Sequence, residues 1–364
     1  MINRLRKNDT FCVLPWIEYH SRIDGNQYLC CHSNVPLTDE TSTNIIRQKI
    51  LNNEKVDHCN HCYKLEENNV LSPRQRESAL WLKDESILDK FKSETYYEPL
   101  FLDLKVDNKC NLACIGCNPS SSTLWQKELK ISTKRYFQLP DFEKIKKAKK
   151  IYMAGGEPFI IDSYLDIIDF VATENPDIEL VVNTNLTTLP DSTVKSLQKI
   201  KKVCITVSLD AYGKVNEYHR YPLKWNKFIR NLDLLEKTGI RIEFNTVVDA
   251  VSIFGFKELY LLEHYAKRWD LQILTDPTAL ILENVPNNLK DLALENAESL
   301  KNLHFYSIDQ KYKTTVNLIT SKLSKSGDPE RLSKYIQELD IRRKINHSDY
   351  IGVNLINTED INEK

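Results

Sequence analysis

Between about residues 100 and 280, short runs in which every second residue is apolar recur between longer stretches with helical spacing. The runs lie at 101–108 (FLDLKVDN), 149–154 (KKIYMA), 177–185 (DIELVVNTN), 202–210 (KVCITVSLD), 240–249 (IRIEFNTVVD) and 271–276 (LQILTD). Helices are expected over 161–173, 190–200, 225–238 and 255–268. Strand-like and helix-like segments in alternation predict an α/β fold with a parallel sheet, and the helical intervals are too long for hairpins. In the first run Leu102, Leu104 and Val106 alternate with Asp103, Lys105 and Asp107; in the fourth Val203, Ile205, Val207 and Leu209 alternate with Cys204, Thr206, Ser208 and Asp210. A doubly wound sheet, buried on both faces, would read as continuous apolar runs. The alternation instead predicts a partial (β/α)6 barrel with helices outside and a polar inner face lining a cavity.

Before residue 100 the periodicity is poor and cysteines are dense, as in a small module that ligation helps to fold. After residue 285 the chain turns helical and charged. Asp328, Pro329 and Glu330 make a strong helix start: a side-chain cap, a proline in the first turn and an acid at the positive end of the dipole. The expected division is a cysteine-rich module over 1–95, the barrel over 96–285 and a helical extension over 286–364 serving as packing or lid.

Composition narrows the class. Of 364 residues, 41% are hydrophobic and 28% charged, a globular profile. Fifty basic and fifty-one acidic side chains leave a net charge of -1, which argues against a nucleic-acid partner. The polar start MINRLRKNDT and the proline within FCVLPWI predict neither signal peptide nor membrane span, hence a cytoplasmic protein. In that compartment nine cysteines point to metal or cluster ligation, not disulfides. Eight of them precede residue 118; Cys204 stands apart as an expected core thiol.

Directly after the first strand comes CNLACIGC, where Cys110, Cys114 and Cys117 can bring three thiolates together from one loop. Soft sulfur ligands select zinc or iron-sulfur clusters, and a closed zinc site wants four. Three thiolates on a four-iron cubane leave one iron open to a small molecule. The loop, with Asn111 after its first cysteine, resembles the signature of the radical S-adenosylmethionine (SAM) superfamily. The resemblance implies a catalytic 4Fe-4S cluster on these cysteines that donates an electron to bound SAM, giving a 5'-deoxyadenosyl radical. MAGGEPF follows one strand later. Its Gly155, Gly156, Glu157 and Pro158 resemble the family's motif for the methionyl amino group, with Glu157 as acceptor. Asn185, Ser208 and Asp210 at strand ends suit a ribose diol, and Asn245 is a weaker candidate for the same pocket; EYHRYP resembles the stretch in peptide-modifying members that holds the SAM carboxylate, which implies Arg220 for that role, with a solvated loop at His219 and Arg220 as the alternative.

Cys12, the doublet Cys30 and Cys31, and the pair Cys59 and Cys62 form a second set after FCVLPW and a possible strand-turn-strand at IDGNQY. With His32, His58 and His61 interleaved, a zinc site stays open. The pattern resembles the auxiliary modules called twitch or SPASM domains, which implies a second 4Fe-4S cluster on Cys12, Cys30 or Cys31, Cys59 and Cys62. Arg74 and Arg76 are candidates to contact an acidic substrate. The expected function is a radical SAM enzyme acting on a peptide, with a flavodoxin- or ferredoxin-type electron donor. The alternatives are the same chemistry on a sugar or nucleotide, or a zinc-stabilised interaction protein.

Overall fold

The computed structural model describes residues 5, 7–20, 22, 24–37, 39–67, 71–92, 97, 99–132 and 139–356. Seven strands form one sheet: β1 Glu18–His20, β2 Phe101–Leu104, β3 Lys150–Met153, β4 Glu179–Thr184, β5 Lys202–Ser208, β6 Arg241–Val248 and β7 Arg268–Ile273. They pair in sequence order and are all parallel.

The alternation read from the chain sets the two faces. Leu102, Ile151, Leu180, Val182, Ile205 and Val207 are fully buried on the outer face. Helix Asp162–Glu174 covers part of it with Tyr164, Ile167, Ile168 and Val171, at the spacing that keeps one helical face inward. Asp103, Tyr152, Val181, Cys204, Thr206, Glu243, Asn245 and Asp270 line one cavity from the opposite face, so the sheet curves around it. The cavity measures about 1440 Å³. Cys204 therefore faces this cavity, and the expectation of a core thiol is corrected.

Three other expectations change. The sheet gains β1 from the N-terminal region, paired Glu18 to Phe101 and His20 to Asp103, where six strands were expected. The helix expected over 255–268 is replaced by 3₁₀ turns at Ser252–Gly255 and Leu259–Tyr265, and β7 starts at Arg268, ahead of the expected 271. IDGNQY contributes a turn at Gly25 and one bridge, Tyr28 to Pro36, in place of a hairpin; Ile23 lies outside the described residues.

The region before residue 100 has its own apolar cluster, in which the rings of Phe11, Trp16 and Phe91 meet at 5.7 to 6.2 Å. Cys12, Cys30 and Cys59 belong to it. At the other end, Asp328 caps helix Pro329–Arg343 by accepting from the Arg331 N–H, with Pro329 in the first turn as expected. Residues 357–364 of the expected extension lie outside the described residues. No helix among the described residues is long and apolar enough to cross a membrane.

Candidate active site

The loop carrying Cys110, Cys114 and Cys117 leaves the C-terminal end of β2, and four successive carbonyls of it are held by side chains. Ser122 Oγ donates to Leu112 O at 2.5 Å, Arg343 Nη2 to Ala113 O at 2.7 Å, Trp125 Nε1 to Cys114 O at 2.8 Å and Tyr335 Oη to Ile115 O at 2.7 Å. The loop's N–H groups are also used: Ala113 donates to Tyr221 O and Ile115 to His219 O. EYHRYP thus lies against the cysteine loop, and the C-terminal helix, read as packing or lid, braces it through Tyr335 and Arg343.

The three thiols converge. Cys114 and Cys117 are in side-chain contact, Cys110 interacts electrostatically with both, and burial followed by Cys114 pushes Cys110 up to about 12. Arg220 stands beside them, its Nη1 at 4.0 Å from Cys114 Sγ and its Nη2 at 2.8 Å from Asp210. Its Nε is buried with no hydrogen-bond partner.

The glycine turn clamps this loop. Glu157 N–H donates to Lys109 O at 2.8 Å, and Gly156 sits at φ +55° with the place of a Cβ only 2.4 Å from Lys109 O and 2.9 Å from Asn108 C. Backbone, not a movable side chain, fills that space, so Gly156→Ala is expected to push the start of the cysteine loop away and to cost about 1–3 kcal/mol from backbone strain alone. Iron bound per chain after anaerobic reconstitution should fall; unchanged loading and thermal stability would contradict the clamp.

Glu157 itself is fully buried. It accepts from Thr184 Oγ1 at 2.5 Å, Asn185 N–H at 2.7 Å and Phe159 N–H at 3.3 Å, and burial nonetheless raises its carboxyl to about 7. The carboxylate thereby ties the glycine turn to the end of β4. Asn185 then reaches the cysteine loop, with Nδ2 3.1 Å from Asn111 Oδ1 and 3.9 Å from Cys110 Sγ. Asn111 donates to Thr187, whose part sequence reasoning missed.

Asp210 is also spoken for. It meets Arg220, His219 Nδ1 at 2.9 Å and Val247 N–H at 2.9 Å, so the expected ribose ligand is a buried counter-ion. Ser208 keeps only a 3.4 Å contact to Asn183. His219 lies between Asp210 and Asp249, 2.5 Å away. Burial would lower its pKa, but Asp249 and Asp210 outweigh this and raise it to about 10. A proton held more tightly in the folded state stabilises fully below the ordinary value of 6.5, and that contribution is lost as pH rises toward 10. The urea midpoint is therefore expected to fall between pH 7 and 10 and to fall less in His219→Gln; equal slopes would remove the ion triad as the cause.

The structure separates the cysteine doublet. Cys12 interacts with Cys59, Cys30 and Cys62, and Cys30 with Cys59 and Cys62, all four being buried. Cys31, one residue on, faces Glu18 and Asp103 and lines the cavity. His32 and His61 stack at 6.1 Å and line the same cavity. Arg74 is buried, held by Glu66 and the Phe11 carbonyl, which corrects its expected substrate role; Arg76 does line the cavity, paired with Glu77. Asn245 faces the cavity as expected, away from the cysteine loop, none of whose cysteines lines it.

A single zinc ion with thiolates at about 2.3 Å would hold its sulfurs about 3.8 Å apart. Among the described residues, one group of three potential ligands has its donor atoms all within 4.8 Å, and it is Glu18, His20 and Asp103. In neither cysteine set do three ligand atoms all come within that distance of one another.

Residues 104–267 match the Radical SAM superfamily. The matched stretch holds the cysteine loop, the glycine turn, Asn185, Ser208, Asp210 and Arg220. The chain is 26% identical over 186 residues to the GTP 3',8-cyclase of Synechocystis sp., covering 47% of this chain and 52% of that one. It is 24% identical over 282 residues to the GTP 3',8-cyclase of Clostridium acetobutylicum, covering 69% and 86%. The chain spans about half the length of the first curated relatives it matches. Among solved structures it is similar to Streptococcus suis SuiB bound to S-adenosylmethionine, at 18% identity and a TM-score of 0.44, covering 74% of this chain and 60% of that one. The superfamily match and the named relatives support an enzyme, and the superfamily implies a 4Fe-4S cluster and SAM. The residues present fit that pair: three converging thiols on a braced loop, with a buried guanidinium whose Nε has no partner beside them.

Proposed function

We propose that this protein is a radical SAM enzyme that cleaves SAM reductively and removes a hydrogen atom from a substrate bound beside the cysteine loop. The observation that carries the reading is the convergence of Cys110, Cys114 and Cys117 on one braced loop beside Arg220. When bound, the cluster and SAM supply a 5'-deoxyadenosyl radical. The three cysteines would hold the cluster, and the free edge of Arg220 would take the SAM carboxylate, with Asp210 fixing the guanidinium plane. Gly155, Gly156 and Pro158 would shape the cofactor wall, Glu157 and Asn185 would keep it against Cys110, and Ser208 is left for the ribose.

On the same reading the sheet is a partial barrel whose strands β2–β7 lie within 96–285, preceded by an auxiliary module over 1–95 of twitch or SPASM type that lends it β1 and followed by the extension over 286–364. Cys12, Cys30, Cys59 and Cys62 would hold a second 4Fe-4S cluster, and a ferredoxin or flavodoxin in the cytoplasm would supply electrons. A peptide substrate is favoured because the N-terminal module resembles those that commonly accompany enzymes modifying ribosomally made peptides. The similarity to GTP 3',8-cyclases favours a nucleotide as the second reading. Anaerobic reconstitution followed by dithionite should yield 5'-deoxyadenosine from SAM, and none forming would remove the proposal. Stimulation of that yield by GTP, and not by peptides, would select the second reading.

A further inference from the structure

We propose that Glu18, His20 and Asp103 form a binding site for a divalent metal ion in the wall of the cavity, separate from both cysteine sets. Glu18 and His20 are two apart on β1 and so share a face, and His20 pairs across to Asp103 on β2. Their donor atoms lie within 4.8 Å of one another.

Three of those atoms, Glu18 Oε2, His20 Nδ1 and Asp103 Oδ1, are buried in residues only 5%, 9% and 3% exposed; His20 Nδ1 and Asp103 Oδ1 face each other at 3.5 Å without a hydrogen bond of good geometry, and Glu18 Oε2 has no partner. Buried polar atoms are rarely left so, because each costs about 1–3 kcal/mol. Here three converge on one point. The other donor of two of these residues is already used: Glu18 Oε1 accepts from the Cys31 N–H at 3.1 Å, and His20 Nε2 from Arg22 Nε at 2.8 Å. Glu18 and His20 therefore each have one atom left to turn toward Asp103.

Two carboxylate oxygens and one imidazole nitrogen suit Mn²⁺, Fe²⁺ or Zn²⁺ and do not suit an iron-sulfur cluster. Asp103 and Cys31 line the cavity, so coordination positions not filled by protein would face water. Ligation through Nδ1 places the ring hydrogen on Nε2, and Arg22 Nε must then release it. Arg22 stays anchored through Nη2 on the carbonyls of Cys31 at 3.1 Å and Ser33 at 2.8 Å. The site does not depend on the radical chemistry, and its failure would leave that reading untouched.

The test is a Mn²⁺ titration of the full chain, anaerobic and with its clusters oxidised, followed by the electron paramagnetic resonance signal of free Mn²⁺. One ion per chain should bind, and Glu18→Gln and Asp103→Asn should each weaken binding at least tenfold with iron content and circular dichroism unchanged. Pulsed resonance of Mn²⁺ on the unaltered chain should show one directly bound nitrogen, which keeps the proposal testable if a variant misfolds. No stoichiometric binding, equal binding in both variants, or a coordination shell of oxygen alone would overturn it.

Discussion

Cys114→Ala is expected to abolish 5'-deoxyadenosine formation, by more than a thousandfold, and to remove about four irons of the roughly eight that two cubane clusters contain. Cys114 is the best placed of the three ligands for this test. Its thiol is buried between Cys117 and Arg220, and its carbonyl is fixed by Trp125, so alanine removes the sulfur while the loop keeps its bracing. Cys59→Ala should also lose about four irons. It should still cleave SAM, uncoupled from product, because Cys59 belongs to the other set, in contact with Cys12, Cys30 and Cys62. Complete loss of cleavage in both variants would contradict the division of labour between the two sets. Loss of iron only from Cys114→Ala would mean that the N-terminal cysteines hold no cluster.

Arg220→Lys is expected to raise the KM for SAM at least tenfold while iron content stays unchanged. Lysine keeps the charge near Asp210 but loses the planar fork that can serve Asp210, the Cys114 sulfur and a bound carboxylate together. Arg220→Ala should go further and destabilise the fold by about 3–5 kcal/mol, since it strips a buried carboxylate of one partner. The split between the two variants separates a binding role from a purely structural one. An Arg220→Lys enzyme with unaltered KM would confine the guanidinium to the ion network of Asp210, His219 and Asp249.

Much of this arrangement was legible along the chain because period-two alternation marks strands whose two faces meet different surroundings. Leu102 and Leu104 went to the outer core and Asp103 to the cavity, as the alternation requires. The three-residue β1 carries too few positions for a period to register. The stretch around Leu259, Leu262 and Tyr265 had helical spacing, but it folds as 3₁₀ turns. Roles that depend on distant partners were not readable. Tyr335 and Arg343 reach the cysteine loop across 220 and 230 residues, and nothing local in helix Pro329–Arg343 announces it. The doublet Cys30 and Cys31 stayed ambiguous for a simpler reason: adjacent residues point to opposite sides, and only the fold decides which side holds the other thiols. The donors around Glu157 and Asp210 were not readable either, because a motif shows that a carboxylate is wanted and not which groups surround it.

The most direct measurement uses ⁵⁷Fe-labelled Cys59→Ala protein, which leaves only the cluster of the Cys110 loop, examined by Mössbauer spectroscopy with and without SAM. One iron in four should change its isomer shift when SAM is added, as its coordination expands to take the amine and carboxylate. A spectrum in which all four irons are insensitive to SAM would contradict the open coordination position from which the activity is argued.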